Sequence, residues 1–334
     1  MKKAAFYTLG CKVNQYETEA MAELFADSGY EIKEFTEVAD VYVINTCSVT
    51  NMGDRKSRQI IRRAKKLNPN AVIAVTGCYA QTAPDEVLAI EGVNLVLGTK
   101  DRKNIVTLVE DLNTESNINH VSDIMSNHEF EELQIKQYSN RTRAFIKIQE
   151  GCNQFCSYCI IPYARGPVRS RAKDDVVREI KELAHNGFKE IILVGIHVAS
   201  YGVDLGNTTL ESLIMDVDKI DGVERIRLSS IEPMTLNQEF IDSIKDSKKL
   251  CHHFHISLQS GCDETLKRMN RKYTTAQFKG IVDGLREAFD DVAITTDIMV
   301  GFPDESDEEF NKTVEFVRNI KFADAHVFQY SQRR

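Results

Sequence analysis

The sequence predicts an α/β fold with two parallel-sheet units joined by a linker. Short apolar runs alternate with helical segments in residues 1–111 and again in residues 141–334, and this alternation is typical of parallel sheets. A chain of 334 residues is long enough for roughly two domains of about 150 residues each. Between the two units, residues 112–140 are rich in Asn, Ser and Glu and show no sustained period, so we expect a linker there.

Four strands and three helices are expected in the N-terminal unit. The strands are short apolar runs at residues 4–9, 41–45, 71–75 and 93–97. The helices are expected at residues 14–28, 54–67 and 101–111. The first two carry apolar residues at helical spacing, and Gly29 ends the first. Buried strands that alternate with helices predict a parallel sheet.

Six strands and five helices are expected in the C-terminal unit. The strands are at residues 144–149, 190–195, 225–229, 253–258, 293–300 and 325–330, and the helices are at 174–186, 210–220, 238–247, 275–289 and 307–320. Six β/α repeats predict a partial (β/α)6 barrel with its functional residues at the carboxyl ends of the strands. The acidic run at residues 304–309 is interpreted as a helix N-terminus, where carboxylates favour the helix dipole.

The composition is that of an ordinary globular protein. Apolar residues make up 42% and charged residues 28%, which excludes a disordered or collagen-like chain. The apolar runs are strand-sized and the N-terminal one is too short for a secretory signal, so we expect no membrane segment and a cytoplasmic location. Because the net charge is −8, any contact with nucleic acid must rest on local basic patches.

The grouping of cysteines is the strongest local signal. Eight cysteines are too few for a disulfide scaffold at this length. Cys152, Cys156 and Cys159 have the spacing C-x3-C-x2-C directly after a predicted strand. Three thiolates this close in sequence can hold one iron–sulfur cluster and leave one iron open to a reacting ligand. The alternatives are inert packing or a zinc site, which would need a fourth Cys or His, and none follows nearby.

Three other cysteines are far apart in sequence but have matching contexts. Cys11, Cys47 and Cys78 each follow a predicted strand. The carboxyl ends of parallel strands face one crevice, so these positions can bring three thiolates together. Gly10 and Gly77 would let the backbone approach a cluster closely. The alternative is that the three cysteines pack as small buried hydrophobic residues.

Several separated stretches resemble the radical S-adenosylmethionine enzymes and, within them, the methylthiotransferases. They are 150-EGCNQFCSYCIIPYARGPVRSR-171, 226-IRLSSIEP-233, 255-HISLQSGCDETLKRMNRKY-273 and 296-TDIMVGFPDESDEEF-310. The stretches 8-TLGCKVNQYETE-19 and 44-INTCSVTNMGDRKSRQ-59 resemble the subgroup that acts on threonylcarbamoyladenosine in tRNA. The resemblance extends from about residue 4 to the end of the chain.

The resemblance implies two [4Fe-4S] clusters and S-adenosylmethionine as cofactors. The ligands would be Cys152, Cys156 and Cys159 for the catalytic cluster, and Cys11, Cys47 and Cys78 for an auxiliary cluster. The first cluster would bind S-adenosylmethionine and cleave it to a 5′-deoxyadenosyl radical, and the second would carry the sulfur that enters the product. Gly195 resembles a position that approaches the cofactor. Strand alternation turns Gln259, Asp297, His253 and His255 into the barrel lumen, so we expect cofactor contacts from Gln259 and Asp297.

Two groups of basic residues are candidate RNA contacts. Arg55, Arg58 and Arg62 lie on the predicted helix away from its apolar face, and Arg165, Arg169 and Arg171 follow the cysteine triplet. Basic patches beside the expected site predict contacts with the phosphates of a folded RNA, and a solvated surface is the alternative. Members of the family carry a small C-terminal RNA-binding β-domain, which we expect this chain to lack.

The predicted function is the addition of a methylthio group to C2 of N6-threonylcarbamoyladenosine at position 37 of tRNA. The implied partners are tRNA and a low-potential electron donor such as a flavodoxin. Two alternatives share the chemistry, with isopentenyladenosine-37 of tRNA or an aspartate of a ribosomal protein as the substrate. An alternative of another class is a zinc-bound, non-catalytic RNA-binding module.

Overall fold

The computed structural model describes residues 1–112, 117–135 and 142–332. The N-terminal unit contains β1 (Lys3–Thr8), α1 (Lys12–Asp27), β2 (Glu31–Lys33), β3 (Val41–Thr46), α2 (Asn51–Leu67), β4 (Val72–Gly77), α3 (Cys78–Thr82), α4 (Pro84–Leu88), β5 (Leu95–Leu97), α5 (Ile105–Glu110) and β6 (Ile118–His120). Its six strands form one parallel sheet in the order β2-β1-β3-β4-β5-β6. The predicted α/β class is confirmed for this unit.

The described part of the predicted linker is packed rather than loose. Residues 118–120 form β6, which pairs with β5 and extends the parallel sheet. Leu133 and Ile135 are buried in the hydrophobic core of the C-terminal unit. Residues 113–116 and 136–141 of the predicted linker and its boundary lie outside the described residues. The sequence predicts a loose linker because a three-residue strand and a few isolated buried side chains produce no periodic pattern of apolar residues.

The C-terminal unit is an open barrel of six parallel strands, and a seventh strand of two residues pairs antiparallel with the first of the six. Its elements are β7 (Arg143–Glu150), α6 (Ile161–Arg165), β8 (Arg169–Ser170), α7 (Lys173–His185), β9 (Glu190–Gly195), α8 (Leu210–Asp218), β10 (Arg225–Leu228), α9 (Gln238–Ile244), β11 (His253–His255), α10 (Asp263–Arg268), α11 (Thr275–Ala288), β12 (Ala293–Val300), α12 (Asp307–Ile320) and β13 (Asp324–Gln329). One sheet has the order β10-β9-β7-β8 and the other β11-β12-β13. Parallel bridges at Ile226–Leu250 and Ile231–Ile256 join the two sheets.

The helices around the barrel begin where capping residues and apolar periodicity coincide. Ser306 caps α12, where its hydroxyl accepts a hydrogen bond from the Glu309 amide and the Glu309 carboxylate accepts one from the Ser306 amide. The acidic run at residues 304–309 therefore surrounds a helix N-terminus, as the sequence predicts. Among the described residues, no helix combines the length and the apolar character needed to cross a membrane.

The two units share a hydrophobic core through α1. Val13, Tyr16 and Ala20 of this helix belong to the same buried cluster as the barrel strands and their outer helices. The Tyr16 hydroxyl also donates a hydrogen bond to the Leu133 carbonyl oxygen. This packing places the carboxyl ends of the N-terminal strands against the loop that follows β7, where the candidate site lies.

Candidate functional site

The three widely spaced cysteines meet at one edge of the N-terminal sheet. Cys11 is the N-cap residue of α1, Cys47 directly follows β3, and Cys78 is the first residue of α3 after β4. A Cβ atom built on Gly10 would lie 2.8 Å from Cβ and 3.0 Å from Sγ of Cys47, so Cys47 packs against the backbone beside Cys11. The three thiols also interact electrostatically with one another. The predicted convergence of these strand ends is therefore present in the fold.

The surroundings of this triplet disfavour ionisation of its thiols, but they also place a cationic side chain beside them. Burial, together with the neighbouring Cys78 and Cys11, raises the pKa of the Cys47 thiol to about 11. Desolvation by the surrounding protein also raises the pKa of Cys11, although this residue is exposed at the surface and Arg165 acts in the opposite direction. The Nε of Arg165 donates a hydrogen bond to Sγ of Cys78 at 3.3 Å. Thiols in this setting ionise when they bind a metal, and Arg165 would offset part of the charge of their thiolates.

The second triplet lies on the loop between β7 and α6. The Cys159 amide donates to the Cys156 carbonyl at 2.9 Å, and the Cys152 amide donates to the Gly166 carbonyl at 3.1 Å. Gly151 has φ +75° and a Cβ there would lie 1.8 Å from the Pro167 carbonyl oxygen, so only glycine fits. These contacts hold the three cysteines on one compact loop, as their spacing predicts.

Burial and a second arginine define the electrostatics of this loop. Burial raises the pKa of Cys152 to about 11 and that of Cys159 to about 12. The Nη1 of Arg271 donates to Sγ of Cys156 at 3.4 Å, and its Nη2 donates to the Glu232 carboxylate at 2.8 Å. Each triplet thus has one thiol in contact with a buried arginine. Three soft sulfur donors with a cationic partner fit an iron–sulfur cluster at each position.

A buried network of charged side chains connects the two triplets. The Glu17 carboxylate on α1 forms ion pairs with Arg102 and Arg165 at 2.5 Å each and with Lys147 at 3.2 Å. Glu150 at the end of β7 pairs with Lys147 at 2.8 Å and with Arg165 at 2.6 Å. All five side chains are at most 1% exposed. No pattern in the sequence predicts this network.

The ion pairs keep both carboxylates of the network charged. Burial by itself raises the pKa of Glu17, but Arg102, Arg165 and Lys147 outweigh it and lower the pKa to about 2. Burial likewise raises the pKa of Glu150, and Lys147 and the arginines bring it well below the usual value. The network is therefore ionised at neutral pH and joins α1, β7 and α6.

The predicted RNA contacts of Arg165, Arg169 and Arg171 are wrong. The three residues are 0%, 2% and 0% exposed. Arg169 donates to the Asn127, Pro167 and Arg165 carbonyls. Arg171 pairs with Glu179 and, at 3.0 Å, with Glu132. Buried guanidinium groups that are already paired cannot contact the phosphates of an RNA.

The basic face of α2 has a different environment. Arg55 and Arg62 are exposed. Arg58 is partly buried and donates to the Tyr79 hydroxyl at 2.9 Å and to the Glu86 carboxylate at 3.1 Å. A cavity of about 740 Å³ lies beside Arg58, Tyr79 and Glu86. The predicted RNA contact of Arg55, Arg58 and Arg62 stays a prediction.

Two adjoining cavities lie between the triplets and the barrel lumen. The larger, of about 880 Å³, is lined by residues that include Cys11, Gly195, Arg227, His253, Asp297 and His326. The smaller, of about 350 Å³, is lined by residues that include Tyr158, Cys159, Gln259, Asp297, Met299 and Tyr330. Val49, Ile161 and Asp297 border both. Each cavity therefore reaches one cysteine triplet, and the two meet at Asp297.

The three predicted cofactor-contact residues all border these cavities. Gly195 ends β9, and a Cβ there would lie 2.9 Å from the Gln149 side-chain oxygen. Gln259 has φ +65°, and its amide donates to the Asp297 carbonyl at 2.8 Å. The Asp297 carboxylate lies 3.0 Å from Nε2 of His255 and 3.4 Å from Nδ1 of His326. Their contact with a cofactor stays a prediction.

His326 is a lumen residue that the sequence reading does not single out. It pairs in register with Asp297 across β12 and β13, so both side chains share one face of the sheet. The Thr295 hydroxyl forms a hydrogen bond with each of two histidines. Its oxygen lies 2.9 Å from Nδ1 of His255 and 3.2 Å from Nε2 of His253. Strand alternation turns His253 and His255 inward as predicted, and the same rule applied to β13 finds His326.

Comparisons with known proteins agree with this architecture. Residues 146–317 match the model of the radical SAM superfamily, and residues 3–98 match an uncharacterized protein family, UPF0004. The threonylcarbamoyladenosine tRNA methylthiotransferase MtaB of Bacillus subtilis is 49% identical, over 100% of this chain and 74% of that protein. The protein of the same name from Aquifex aeolicus is 42% identical, over 99% and 81%.

Other matches widen the range of relatives. The tRNA-2-methylthio-N(6)-dimethylallyladenosine synthase of Thermoanaerobacter pseudethanolicus is 39% identical, over 98% of this chain and 70% of that protein. Among solved structures, the radical S-adenosylmethionine methyltransferase TsrM from Kitasatospora setae superposes with a TM-score of 0.70 at 16% identity, covering 98% of this chain and 75% of that one. At that identity the structural match shows the fold alone.

Proposed function

Because the chain belongs to the tRNA methylthiotransferases of the radical S-adenosylmethionine superfamily, we propose that it adds a methylthio group to C2 of N6-threonylcarbamoyladenosine at position 37 of tRNA. The observation that carries this proposal is the 49% identity, over the whole chain, to a relative with that name. The convergence of two cysteine triplets on adjoining cavities supports it, since sulfur insertion at a C–H bond needs a hydrogen abstractor and a sulfur donor.

Each cysteine triplet would hold one [4Fe-4S] cluster. The two sets of ligands are Cys152, Cys156 and Cys159 in the barrel unit, residues 141–334, and Cys11, Cys47 and Cys78 in the N-terminal unit, residues 1–111. When bound, the clusters would supply the reducing electron for S-adenosylmethionine cleavage and the sulfur for transfer. The chain's own contribution is to shield five of the six cysteines from solvent, wholly or in part, and to place Arg271 and Arg165 against one sulfur of each set.

The two cavities would divide the binding of cofactor and substrate. The smaller cavity borders Cys159, Gln259 and Asp297, and its volume of about 350 Å³ is within the range of small-molecule sites. We assign S-adenosylmethionine to this cavity. The larger cavity borders Cys11 and would receive the target nucleoside. Gly195 lines the larger cavity and not the smaller one, so a cofactor contact at Gly195 would require S-adenosylmethionine to extend from the smaller cavity into the larger.

The exposed basic face of α2 would contact the tRNA backbone. Arg55 and Arg62 are free to reach phosphates, and Arg58 would lie at the edge of the contact. A low-potential electron donor such as a flavodoxin would reduce the catalytic cluster. A reaction on tRNA with such a donor places the protein in the cytoplasm.

Metal analysis and nucleoside mass spectrometry test this proposal. After anaerobic reconstitution the protein is expected to hold about eight irons and eight sulfides, from two four-iron clusters. The Cys78→Ala variant is expected to hold about half as much iron and sulfide. The Cys251→Ala variant changes a cysteine outside both triplets, and its iron and sulfide content is expected to match the wild type. Stoichiometric zinc without sulfide would refute the enzyme and support a zinc-bound RNA-binding module.

The substrate is tested by supplying the alternatives side by side. With S-adenosylmethionine and a reductant, the reconstituted protein is expected to convert threonylcarbamoyladenosine in tRNA to its 2-methylthio form, detected in nuclease digests. Both Cys78→Ala and Cys156→Ala are expected to abolish this product, while Cys251→Ala retains it. Methylthiolation only of isopentenyladenosine in tRNA, or only of an aspartate in ribosomal protein, would refute the substrate assignment.

A further inference from the structure

One wall of the larger cavity carries a group of ionisable side chains that the cluster chemistry does not use. The wall is formed by β10, β11, β12 and β13 and includes Arg227, His253, His255, Asp297 and His326. Cys11 lines the same cavity. A substituent of the target nucleoside that extends toward these strands would contact this wall.

Most of the hydrogen-bonding groups in the wall are engaged with one another. Asp297 uses one carboxylate oxygen toward His255 at 3.0 Å and the other toward His326 at 3.4 Å. The Thr295 hydroxyl forms hydrogen bonds with the other ring nitrogen of His255, Nδ1, and with Nε2 of His253. These contacts make the three residues a connected polar lining of the cavity.

Two groups in the wall have hydrogen-bonding capacity that remains open. Nδ1 of His253 is buried and has no partner among the residues that the structure describes. Arg227 bonds through Nε alone, to Glu190 at 3.2 Å, within the described part of the chain. Glu190 also pairs with Arg225 at 3.2 Å, so one carboxylate serves two guanidinium groups. His253 and Arg227 lie close enough to interact electrostatically.

Positive charge is concentrated in one part of the cavity lining. Arg227 and Lys12 both line the cavity and lie close enough to interact electrostatically. Of the two carboxylates in the lining, Asp297 is already paired with two histidines and Asp324 is exposed. A carboxylate beside Arg227 and His253 would accept hydrogen bonds from both and would offset the positive charge of Arg227 and Lys12. A branched alkenyl group at the same place would leave the buried Nδ1 of His253 without a partner and would remove water from the partly buried Arg227, which is unfavourable.

We propose that this wall binds the N6 substituent of the target adenosine, with Arg227 and His253 as the partners of its carboxylate. The proposal rests on the proposed function, because a threonylcarbamoyl group carries a carboxylate, a hydroxyl and a urea, whereas a dimethylallyl group carries none of these. His255, Asp297 and His326 form the polar surface beside the hydroxyl and the urea. The wall would therefore determine which modified adenosine the enzyme accepts.

Equilibrium binding separates carboxylate recognition from catalysis. Anticodon stem–loops that carry threonylcarbamoyladenosine, or its threonine carboxamide analogue, are titrated into the reconstituted enzyme with S-adenosylmethionine and without reductant. The wild type is expected to bind the acid about 10- to 100-fold more tightly than the amide, the range for a hydrogen bond to a charged group. In Arg227→Gln and in His253→Phe this preference is expected to fall at least about five-fold, while binding of the amide changes little.

Arg225→Gln is the matched control. Arg225 is on the same strand and pairs with the same glutamate, but it does not line the cavity, so the acid-to-amide preference is expected to match the wild type. Arg227→Lys is expected to restore part of the preference. Iron content and the affinity for S-adenosylmethionine are expected to be unchanged in Arg227→Gln, which shows that the variant is folded and that its defect concerns the nucleoside.

Each failure has a distinct signature. An acid-to-amide preference that survives in Arg227→Gln or in His253→Phe would overturn the inference while leaving the proposed function in place. Weakened S-adenosylmethionine binding in Arg227→Gln would also overturn it, since the residue would then serve the cofactor. A wild-type enzyme that binds and converts dimethylallyladenosine in preference to threonylcarbamoyladenosine would refute the proposed function itself.

Discussion

Replacing Glu17 by glutamine removes a buried charge that three cations share. The pKa of this carboxyl falls from its ordinary value of 4.5 to about 2, because its ion pairs outweigh the effect of burial, and this shift corresponds to about 3 kcal/mol. Removing one member of a buried ion pair typically costs about 3–5 kcal/mol, since the remaining charges lose their partner. Glu17→Gln is therefore expected to lower the free energy of unfolding of the cluster-free protein by about 3 kcal/mol at pH 7.

Urea denaturation followed by circular dichroism measures this loss, and pH identifies its origin. Because the pKa of Glu17 is lowered in the fold, its contribution is complete above about pH 4.5 and disappears as the pH falls toward about 2. The difference between wild type and Glu17→Gln should therefore be constant from pH 7 to pH 5 and shrink below pH 4.5. Glu308→Gln is the control, since Glu308 forms only an exposed pair with Lys312 in the first turn of α12, and its loss should be much smaller than that of Glu17. A Glu17→Gln loss no larger than that of the control, or one that does not change between pH 5 and pH 3, would refute the reasoning.

Three further outcomes are expected. In urea denaturation, Gly77→Ala should destabilise the protein by at least about 1 kcal/mol more than Gly29→Ala. Both glycines have positive φ, but of the two only Gly77 would place a Cβ as close as 2.4 Å to another atom. Equal losses of stability in the two variants would contradict this reasoning. Arg271→Gln should make the reduction potential of the cluster proposed at Cys156 more negative in an EPR-monitored titration, because a cationic donor to the sulfur is lost. An unchanged potential would count against that contact. Arg62→Glu should weaken tRNA binding. It should also reduce the slope of the logarithm of the binding constant against the logarithm of the salt concentration by roughly one unit. An unaltered slope would exclude α2 from the interface.

The fold and the convergence of each cysteine triplet could be predicted because they depend on local patterns. Cys11, Cys47 and Cys78 each follow an apolar run of strand length, and parallel strands place such positions at one edge. The spacing of Cys152, Cys156 and Cys159 needs no tertiary information. Elements of three residues such as β2 and β6 are different, because a strand so short shows no alternation that distinguishes it from a loop.

The buried arginines could not be predicted, because a basic residue in a solvated patch and one in a buried ion pair have the same local sequence. Arg165 lies 148 positions from Glu17 and 15 from Glu150, and only the fold brings them together. Arg171 is paired with Glu179 through the geometry of β8 and α7. A run of basic residues therefore predicts RNA contacts only where the fold brings no carboxylate from a distant part of the sequence into an ion pair with them.

Arg165 shows how the two cysteine sites are held relative to each other. It follows the Cys159 loop on α6, donates to the Cys78 sulfur, and forms ion pairs with Glu17 on α1 and Glu150 on β7. The side chain of Arg165 thus contacts a cysteine of one triplet, while its backbone belongs to the segment that carries the other triplet. Since buried ion pairs have narrow geometric requirements, this residue and its two carboxylates restrain the distance between the triplets more tightly than apolar packing alone would. The relative position of the two sites is therefore set by charges within the interface, and a variant that weakens this network should loosen both sites together.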